Sequence, residues 1–331
     1  MFLLFSFFPI LYNVIMNRPV IVITGPTASG KTDIASRLCK HINGEIISAD
    51  SRQIYRYLDI GTNKSGNYDS LKRLRLTSVG IPQHLTDIID PDESFSAGGF
   101  VREASLLIKQ LTASGKTPVI VGGTGLYIRA LVQGLAPLPP RNDETRLAII
   151  SELETQGIDH IYYKLKKLDP DNAEKNRLNP QRLVRALEIC LLTGKPVSEL
   201  HAQTQKPEWQ FLQFAVEWQR EELYLNIDNR SKQMLSSGMI EETKNILSMG
   251  YDKDCAGFGS LGYRHVIDFL SGGVPIEDTQ KLISIDTRHY AKRQMTWFRR
   301  EADIHWIKAK KESFDPSVIA AEIANKYNNM I

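Results

Sequence analysis

The sequence predicts an α/β fold in which a parallel sheet flanked by helices is interrupted by an all-helical insertion. Three observations carry this reading. Short β-branched apolar runs alternate with helical stretches over residues 19–121, the pattern of strands buried on both faces. A Pro-rich segment at 135–141 (LAPLPPR) then marks a change of texture, and from 142 to about 206 the pattern is helical. A strand pattern returns at 211–217 (FLQFAVE).

The elements follow in order. Residues 19–24 (PVIVIT) form a continuous apolar run, a buried strand, followed by a Gly-rich turn and a helix to about His41. Residues 45–49 (EIISA) are a second strand that ends at Asp50. Residues 97–114 read as a helix with Ser96 as N-cap. Residues 118–121 (PVIV) form a third strand that runs into Gly122-Gly123. Within the insertion, Asn179-Pro180 starts a helix that runs to Leu192, with Gly194 closing it and Pro196 beyond. The remainder is mostly helical, with a short strand at 304–307. The expected organisation is a core built from 17–134 and 208–331, with 135–207 as the inserted helical domain. The chain shows no internal repeat and no low-complexity segment.

Its 331 residues suggest two domains at ~150 residues each. A hydrophobic content of 42% and a charged content of 24% exclude disordered, collagen-like and coiled-coil classes. Lys and Arg number 41 against 38 Asp and Glu, a net charge of +3, so any nucleic-acid surface must be a local patch. Cys39, Cys190 and Cys255 are widely separated with no CxxC pair, which points to a reducing compartment and away from a structural metal. Residues 1–16 (MFLLFSFFPILYNVIM) are apolar and uncharged. They fall short of the ~20 residues of a spanning helix and lack a basic n-region and a cleavage site. The expectation is a dubious extension with translation starting at Met16, and a cytoplasmic protein without a membrane partner.

Gly25-Pro26-Thr27-Ala28-Ser29-Gly30-Lys31-Thr32 fits G-x-x-x-x-G-K-[ST] between a strand and a helix, the context this phosphate-binding pattern requires. The core is therefore expected to be of the P-loop type. Glycines let backbone N–H groups converge, and the helix N-terminus adds about half a positive charge. Lys31 can reach terminal phosphate oxygens, and Thr32 can offer its hydroxyl to a magnesium ion. The pattern implies a bound diphosphate or triphosphate and does not by itself imply phosphate transfer.

Asp50-Ser51-Arg52-Gln53 lies at the carboxyl end of the second strand, the edge where doubly wound sheets bind ligands. Two readings stay open there: a carboxylate that accepts a proton or holds magnesium, or a helix N-cap with Gln53 completing a capping box. Gly122-Gly123-Thr124-Gly125 ends the third strand at the same edge, and its glycines suggest close backbone approach to a ligand. Arg182 and Arg185 share one helix face. Residues 288–311 hold eight basic residues against Glu301 and Asp303, with Tyr290, Trp297, Phe298 and Trp306 interleaved. Arg288, Lys292 and Arg299 line one side of a helix there, a stripe suited to an RNA backbone.

Together these pieces resemble the tRNA dimethylallyltransferase, or tRNA isopentenyltransferase, family in its bacterial form. The segments that carry the resemblance are GPTASGKT (25–32), DSRQIYRYLDIGTNK (50–64), HLTDIIDPDESFSAGGFVREA (84–104), GGTGLYIRAL (122–131), NPQRLVRALEI (179–189), GSLGYR (259–264) and TRHYAKRQMTWFRR (287–300). They span nearly the whole chain after Met16. Two departures stand out: Gln83 precedes His84 where a second His is common, and Arg52 is the bulkier choice within DSRQ.

The resemblance implies transfer of a dimethylallyl group from dimethylallyl diphosphate to N6 of the adenosine 3′ to the anticodon, in tRNAs reading codons that begin with U, by a monomer. It implies Asp50 as the base for the N6 proton and Lys31, Arg220 and Thr124 as further catalytic residues. Gly25 to Thr32 would bind the diphosphate, with Mg2+ at Thr32. It further implies that Asp50, Ser51, Arg52, Gln53, Thr124, Arg146, Gln181, Arg182, Leu183, Val184, Arg185, Gly259, Ser260, Leu261, Gly262, Tyr263 and Arg264 contact tRNA, the insertion gripping the anticodon stem-loop. With 11 basic and 10 acidic residues between 134 and 207, that grip would rest on local arginines. The rival reading is a small-molecule kinase with Asp50 as base and Arg182/Arg185 as its lid. A guanine-binding module is excluded, because Asn63-Lys64 is followed by Ser65-Gly66 and not by N-K-x-D.

Overall fold

A computed structural model describes residues 18–330; the proposed extension 1–16 and its start at Met16 lie outside the described residues. The chain divides into two compact units, one made of the segments up to Leu131 and from Trp209 onward, the other of Val132–Glu208.

The first unit is built on an eight-stranded sheet. Its strands are β1 (Val20–Thr24), β2 (Gly44–Ser48), β3 (Asn67–Asp69), β4 (Leu74–Leu76), β5 (Pro82–His84), β6 (Thr117–Gly122), β7 (Phe211–Trp218) and β8 (Ile304–Ala309). Their order is β3-β4-β5-β2-β6-β1-β7-β8. From β5 to β8 every pairing is parallel. Alternation sorts the side chains: Ile21, Ile23, Ile46, Val119, Val121, Phe214 and Val216 share one core cluster with Ile34, Leu38 and Ile323. Those last residues come from α1 (Lys31–His41) and from the helix Pro316–Asn328. Ser96 caps α2 (Ala97–Ala113), its side chain accepting the Gly99 N–H at 3.0 Å, and α3 (Gly125–Gln133) leaves the sheet after β6.

The antiparallel ribbon β3-β4-β5 departs from the sequence expectation of an undivided parallel sheet. Its strands are three residues each and carry no apolar run, so only the ion pairs described below betray why they form. Lys64, whose side chain is fully buried, bonds Asp59 Oδ1 at 2.7 Å and Asp87 Oδ1 at 2.5 Å. Arg75 of β4 bonds Asp59 Oδ2 and Asp87 Oδ2, both at 2.8 Å. Two cations and two carboxylates thus close a square. Burial opposes the Asp59 charge, yet Lys64 and Arg75 hold its carboxyl below the usual range.

The second unit contains α4 (Asp143–Leu168), α5 (Pro170–Lys175), α6 (Pro180–Thr193) and α7 (Val197–Ala202). Asn179 caps α6, and Gly194 ends it in the left-handed conformation at φ 67°. The unit begins earlier than the expected 135, so the Pro-rich stretch lies within it. Its core includes Ile149, Ile161, Leu165, Leu183, Val184, Leu187 and Leu200. Glu188 is 0% exposed; it accepts from the Asn142 N–H at 2.8 Å and from Arg146 Nη1 at 3.2 Å, and Arg185 Nη1 stands at ion-pair distance, 3.0 Å, from its Oε1.

Glu188→Ala leaves two arginines facing a vacated buried carboxylate, so it should cost about 3–5 kcal/mol in denaturant unfolding of this unit. A loss within about 1 kcal/mol would mean that the arginines do not depend on Glu188.

Candidate functional site

Parallel register places the ends of β1, β2 and β6 at one edge, and a cleft of about 740 Å³ opens there. Its walls include Thr27 to Thr32, Asp50, Arg52, Gln53, Gly122, Arg230, Gly259, Ser260, Leu261, Tyr290 and Gln294. Two further helices line it, α8 (Arg220–Ser236) and the long α11 (Ile276–Phe298); α9 (Met239–Ser248) and α10 (Tyr263–Leu270) come between them in the chain. The helix Pro316–Asn328 is α12.

The phosphate loop turns through Ala28 at φ 62° and Gly30 at φ 81°. Gly30 is needed twice, since a Cβ there would also meet Phe314 at 2.6 Å. Behind it, Trp218 donates its indole N–H to the Ser29 carbonyl at 3.1 Å. Gly25 and Pro26 are buried beneath the cleft and do not line it. The Thr27 N–H is already taken by Gln294 Oε1 at 2.8 Å, so it is not one of the free amides expected there.

Among the described residues, Lys31 bonds only the Pro26 carbonyl, at 3.2 Å. Lys31 is partly exposed along the cleft, and desolvation pulls the pKa of its ammonium down to about 8; Asp50 opposes that shift and Arg230 adds to it. Arg230 donates to Thr27 Oγ1 at 2.7 Å, and burial lowers its pKa to about 10 against the pull of Asp50. Two cations are therefore held desolvated beside one another, which is what a multiply charged anion requires. Arg220, assigned to the diphosphate by resemblance, does not line this cleft: it is exposed at the start of α8, donating from Nε to the Tyr224 hydroxyl at 3.2 Å. The cation at the loop is Arg230, at the far end of the same REELYLNIDNR segment. The sequence held a signal for it, because Arg230 falls on the stripe of buried Leu223, Ile227 and Met234.

Asp50 caps no helix. Its Oδ1 accepts the Arg52 N–H at 2.9 Å in a turn, and the next helix begins only at Ala97, so the capping-box reading falls. Thr124 fastens this turn to β6, accepting the Ser51 N–H at 2.9 Å and donating to Ser51 Oγ. Tyr290 bonds Thr124, and burial, with Asp50 nearby, pushes its hydroxyl up to about 12. Gln53 looks inward: it bonds the Thr62 and Asn63 carbonyls, both at 3.2 Å, and the Gln83 amide at 3.3 Å. Gln83 thus stays within the structure, buried against Gln53.

The glycines at 122–125 serve protein packing. A Cβ at Gly122 would meet the Ala49 carbonyl at 2.1 Å, at Gly123 Gln294 Nε2 at 2.2 Å, and at Gly125 Trp297 Cδ1 at 2.4 Å. The basic stripe of α11 is partly spent: Arg288 pairs with Asp228, Arg299 with Glu217, and Trp297 lies under Arg129. Lys292, Arg293, Thr296 and Arg300 line a shallower groove of about 400 Å³.

Of residues 259–264, Gly259, Ser260 and Leu261 face the cleft. Tyr263 is fully buried, Gly262 is buried in a turn at φ 92°, and Arg264 is exposed. In the helical unit Gln181 and Arg182 are exposed. Leu183 and Val184, expected at the tRNA surface, are 0% and 2% exposed, because they pack the unit's own core. Arg146 and Arg185 are bound to Glu188. Arg230, Tyr290 and Gln294 are the cleft residues that sequence reasoning missed.

A family model described as IPP transferase matches residues 53–301. A tRNA dimethylallyltransferase of Endomicrobium trichonymphae is 47% identical over 87% of this chain and 94% of its own. The full-length tRNA isopentenylpyrophosphate transferase of Bacillus halodurans is 34% identical, covering 95% of this chain and 98% of that one with a TM-score of 0.66. A eukaryotic dimethylallyltransferase acting on tRNA is 28% identical over 95% of this chain and 80% of that one, with a TM-score of 0.78. Fold, cleft and kinship agree, and the chain belongs to the IPP transferase family.

Proposed function

We propose that this protein transfers a dimethylallyl group from dimethylallyl diphosphate to N6 of the adenosine 3′ to the anticodon of tRNA, releasing diphosphate. The observation that carries this is one cleft holding two desolvated cations, Lys31 and Arg230, together with the Asp50 carboxylate whose charge both feel.

The chemistry follows from the groups present. The C–O bond of the substrate breaks and its electron pair leaves with diphosphate, whose growing charge meets Lys31, Arg230 and the unpaired loop amides. N6, a poor nucleophile, forms the new C–N bond while its proton passes to Asp50. The target base must leave its stack to enter. Thr124 holds the Asp50 turn, and so acts on catalysis by position.

The loop also fits a magnesium ion. Magnesium is ordinarily held by substrate phosphates, waters and few protein oxygens; the Thr32 hydroxyl lines the cleft beside Lys31, and the Ser29 hydroxyl is buried there without a partner. When bound, the ion supplies charge neutralisation of the diphosphate.

Of Arg146, Arg182 and Arg185 in the helical unit, Arg182 is the one left exposed for an anticodon-arm phosphate. The kinase alternative loses the lid that suggested it, because Arg185 is bound to Glu188 and to the Pro139 carbonyl. No helix among the described residues is long and apolar enough to cross a membrane; a cytoplasmic monomer completes the proposal.

Incubation with dimethylallyl diphosphate and unmodified tRNA, followed by nucleoside mass spectrometry, tests the reaction; ATP turnover instead would sink it. Asp50→Asn should lower the single-turnover rate by about 10²–10⁴ while both substrates still bind, and a retained rate would defeat the base assignment. Lys31 is charged below its pKa of about 8, so affinity for inorganic diphosphate should fall as pH rises through that value. Lys31→Ala should abolish this dependence and cost about 10²–10³ in rate. Arg182→Ala should reduce the salt dependence of tRNA binding, by at most about 0.9 log units per log unit of salt, and leave unfolding unchanged. Arg185→Ala should instead lower stability.

A further inference from the structure

Glu242, in the first turn of α9, lies outside the cleft walls, yet four groups converge on its carboxylate. Its Oε2 accepts the N–H groups of Asp59 at 2.9 Å and Ile60 at 2.8 Å, and its Oε1 accepts that of Gly61 at 3.3 Å. The Tyr263 hydroxyl donates to Oε1 at 2.6 Å while also accepting from the Gly61 N–H at 3.2 Å. Three successive amides turned onto one anion make a backbone nest, here filled by a side chain of the same protein. Burial and the Glu242 charge push the Tyr263 hydroxyl well above its ordinary pKa, so it stays a donor.

The segment gripped this way continues directly into the wall of the cleft. Thr62 and Asn63 offer their carbonyls to the Gln53 amide, and Gln53 sits in the turn that carries Asp50. The Gln53 carbonyl in turn accepts the Asp87 N–H at 3.2 Å. That second side of the turn belongs to a stretch in which Leu85 and Asp87 both take left-handed backbone angles, φ 58° and 57°. Such angles persist in non-glycine residues only where the surroundings enforce them.

We propose that Glu242 is a positioning residue for Asp50: it fixes residues 59–61, which fix the carbonyls at 62 and 63, which orient Gln53 and with it the Asp50 turn. The chain of contacts does not pass through the phosphate loop. Loss of Glu242 therefore acts on the proton-accepting half of the cleft and spares the diphosphate half. A displacement of about 1 Å at a reacting group costs up to ~10²-fold in rate. The inference rests on the prenyl-transfer reading for the role of Asp50 as proton acceptor and for its assay.

The test is the intact protein and three variants, assayed with saturating tRNA. Glu242→Gln keeps the shape, but its amide N–H₂ turns toward the nest in place of an acceptor. Its kcat should fall about tenfold to a hundredfold, with KM for dimethylallyl diphosphate and affinity for inorganic diphosphate unchanged. Tyr263→Phe keeps the carboxylate in its nest and should lose less than Glu242→Gln. Gln53→Ala breaks the chain lower down, and combined with Glu242→Gln should be no slower than the slower single variant, as expected of residues acting through one another. Multiplying rate losses in the double variant, an unchanged kcat in Glu242→Gln, or a weakened diphosphate affinity at normal kcat would each overturn the proposal. If Glu242→Gln fails to fold, Tyr263→Phe with Gln53→Ala provides the same cycle. An intact protein that modifies no tRNA would refute the prenyl-transfer reading instead.

Discussion

The pairing of Thr24 with Gly122 and of Ser48 with Val121 brings β1, β2 and β6 to a common end. Everything at the cleft depends on that register. A strand slipped by one residue would turn its core side chains to the opposite face, and Ile21, Ile23, Ile46, Val119 and Val121 would leave the cluster they share. Burial of those side chains therefore fixes where the phosphate loop, the Asp50 turn and the Gly122 turn begin. The three loops then need only short ties: Thr124 joins the second to the third, and Gln294 joins the first to the third through the Thr27 N–H and the Gly123 carbonyl.

The cleft shows the opposite economy from the core. Lys31 and Arg230 give up hydration without a carboxylate in contact, which ordinary folding would not favour. The sheet edge, α8 and α11 supply the stability that allows it. In the square of Lys64, Arg75, Asp59 and Asp87 of the same unit, by contrast, each cation meets two carboxylates. A closed ionic square thus stands in the same unit as a pair of cations facing open space, and charge left unmatched in that way marks a candidate ligand site.

The central strands, the phosphate loop, the capped helices at Ser96 and Asn179 and the inserted helical unit were legible in the sequence, because each has a local cause: an apolar run, a glycine, a cap. The ribbon β3-β4-β5 was not, since its strands are too short for a period and its ion pairs join residues far apart in sequence. Family likeness alone placed Leu183 and Val184 at an RNA surface, whereas their apolar character already suited the helix core they occupy. Family likeness likewise pointed to Arg220, whereas helix phase favours Arg230. Tyr290 stood out in the sequence only as an aromatic within a basic stretch, and Gln294 carried no local mark; their roles at the cleft arise only when α11 crosses the sheet edge.

Phe314 lies against Gly30 and packs on Trp218, whose indole N–H holds the Ser29 carbonyl. The loop that opens the first helix is thus braced by a residue close to the end of the chain. During synthesis, β1 and the loop leave the ribosome long before β7, β8 and Phe314 exist, so the nascent chain carries its glycine turn without the aromatic wall behind it. The loop and the segment carrying Phe314 must meet before the loop has its final shape, and β1, flanked by β6 and β7, gains its second neighbour only after the helical unit has been made. The brace on the loop is therefore completed late in synthesis: a molecule cut short ahead of Phe314 would present the G-x-x-x-x-G-K-T pattern without the aromatic wall behind it.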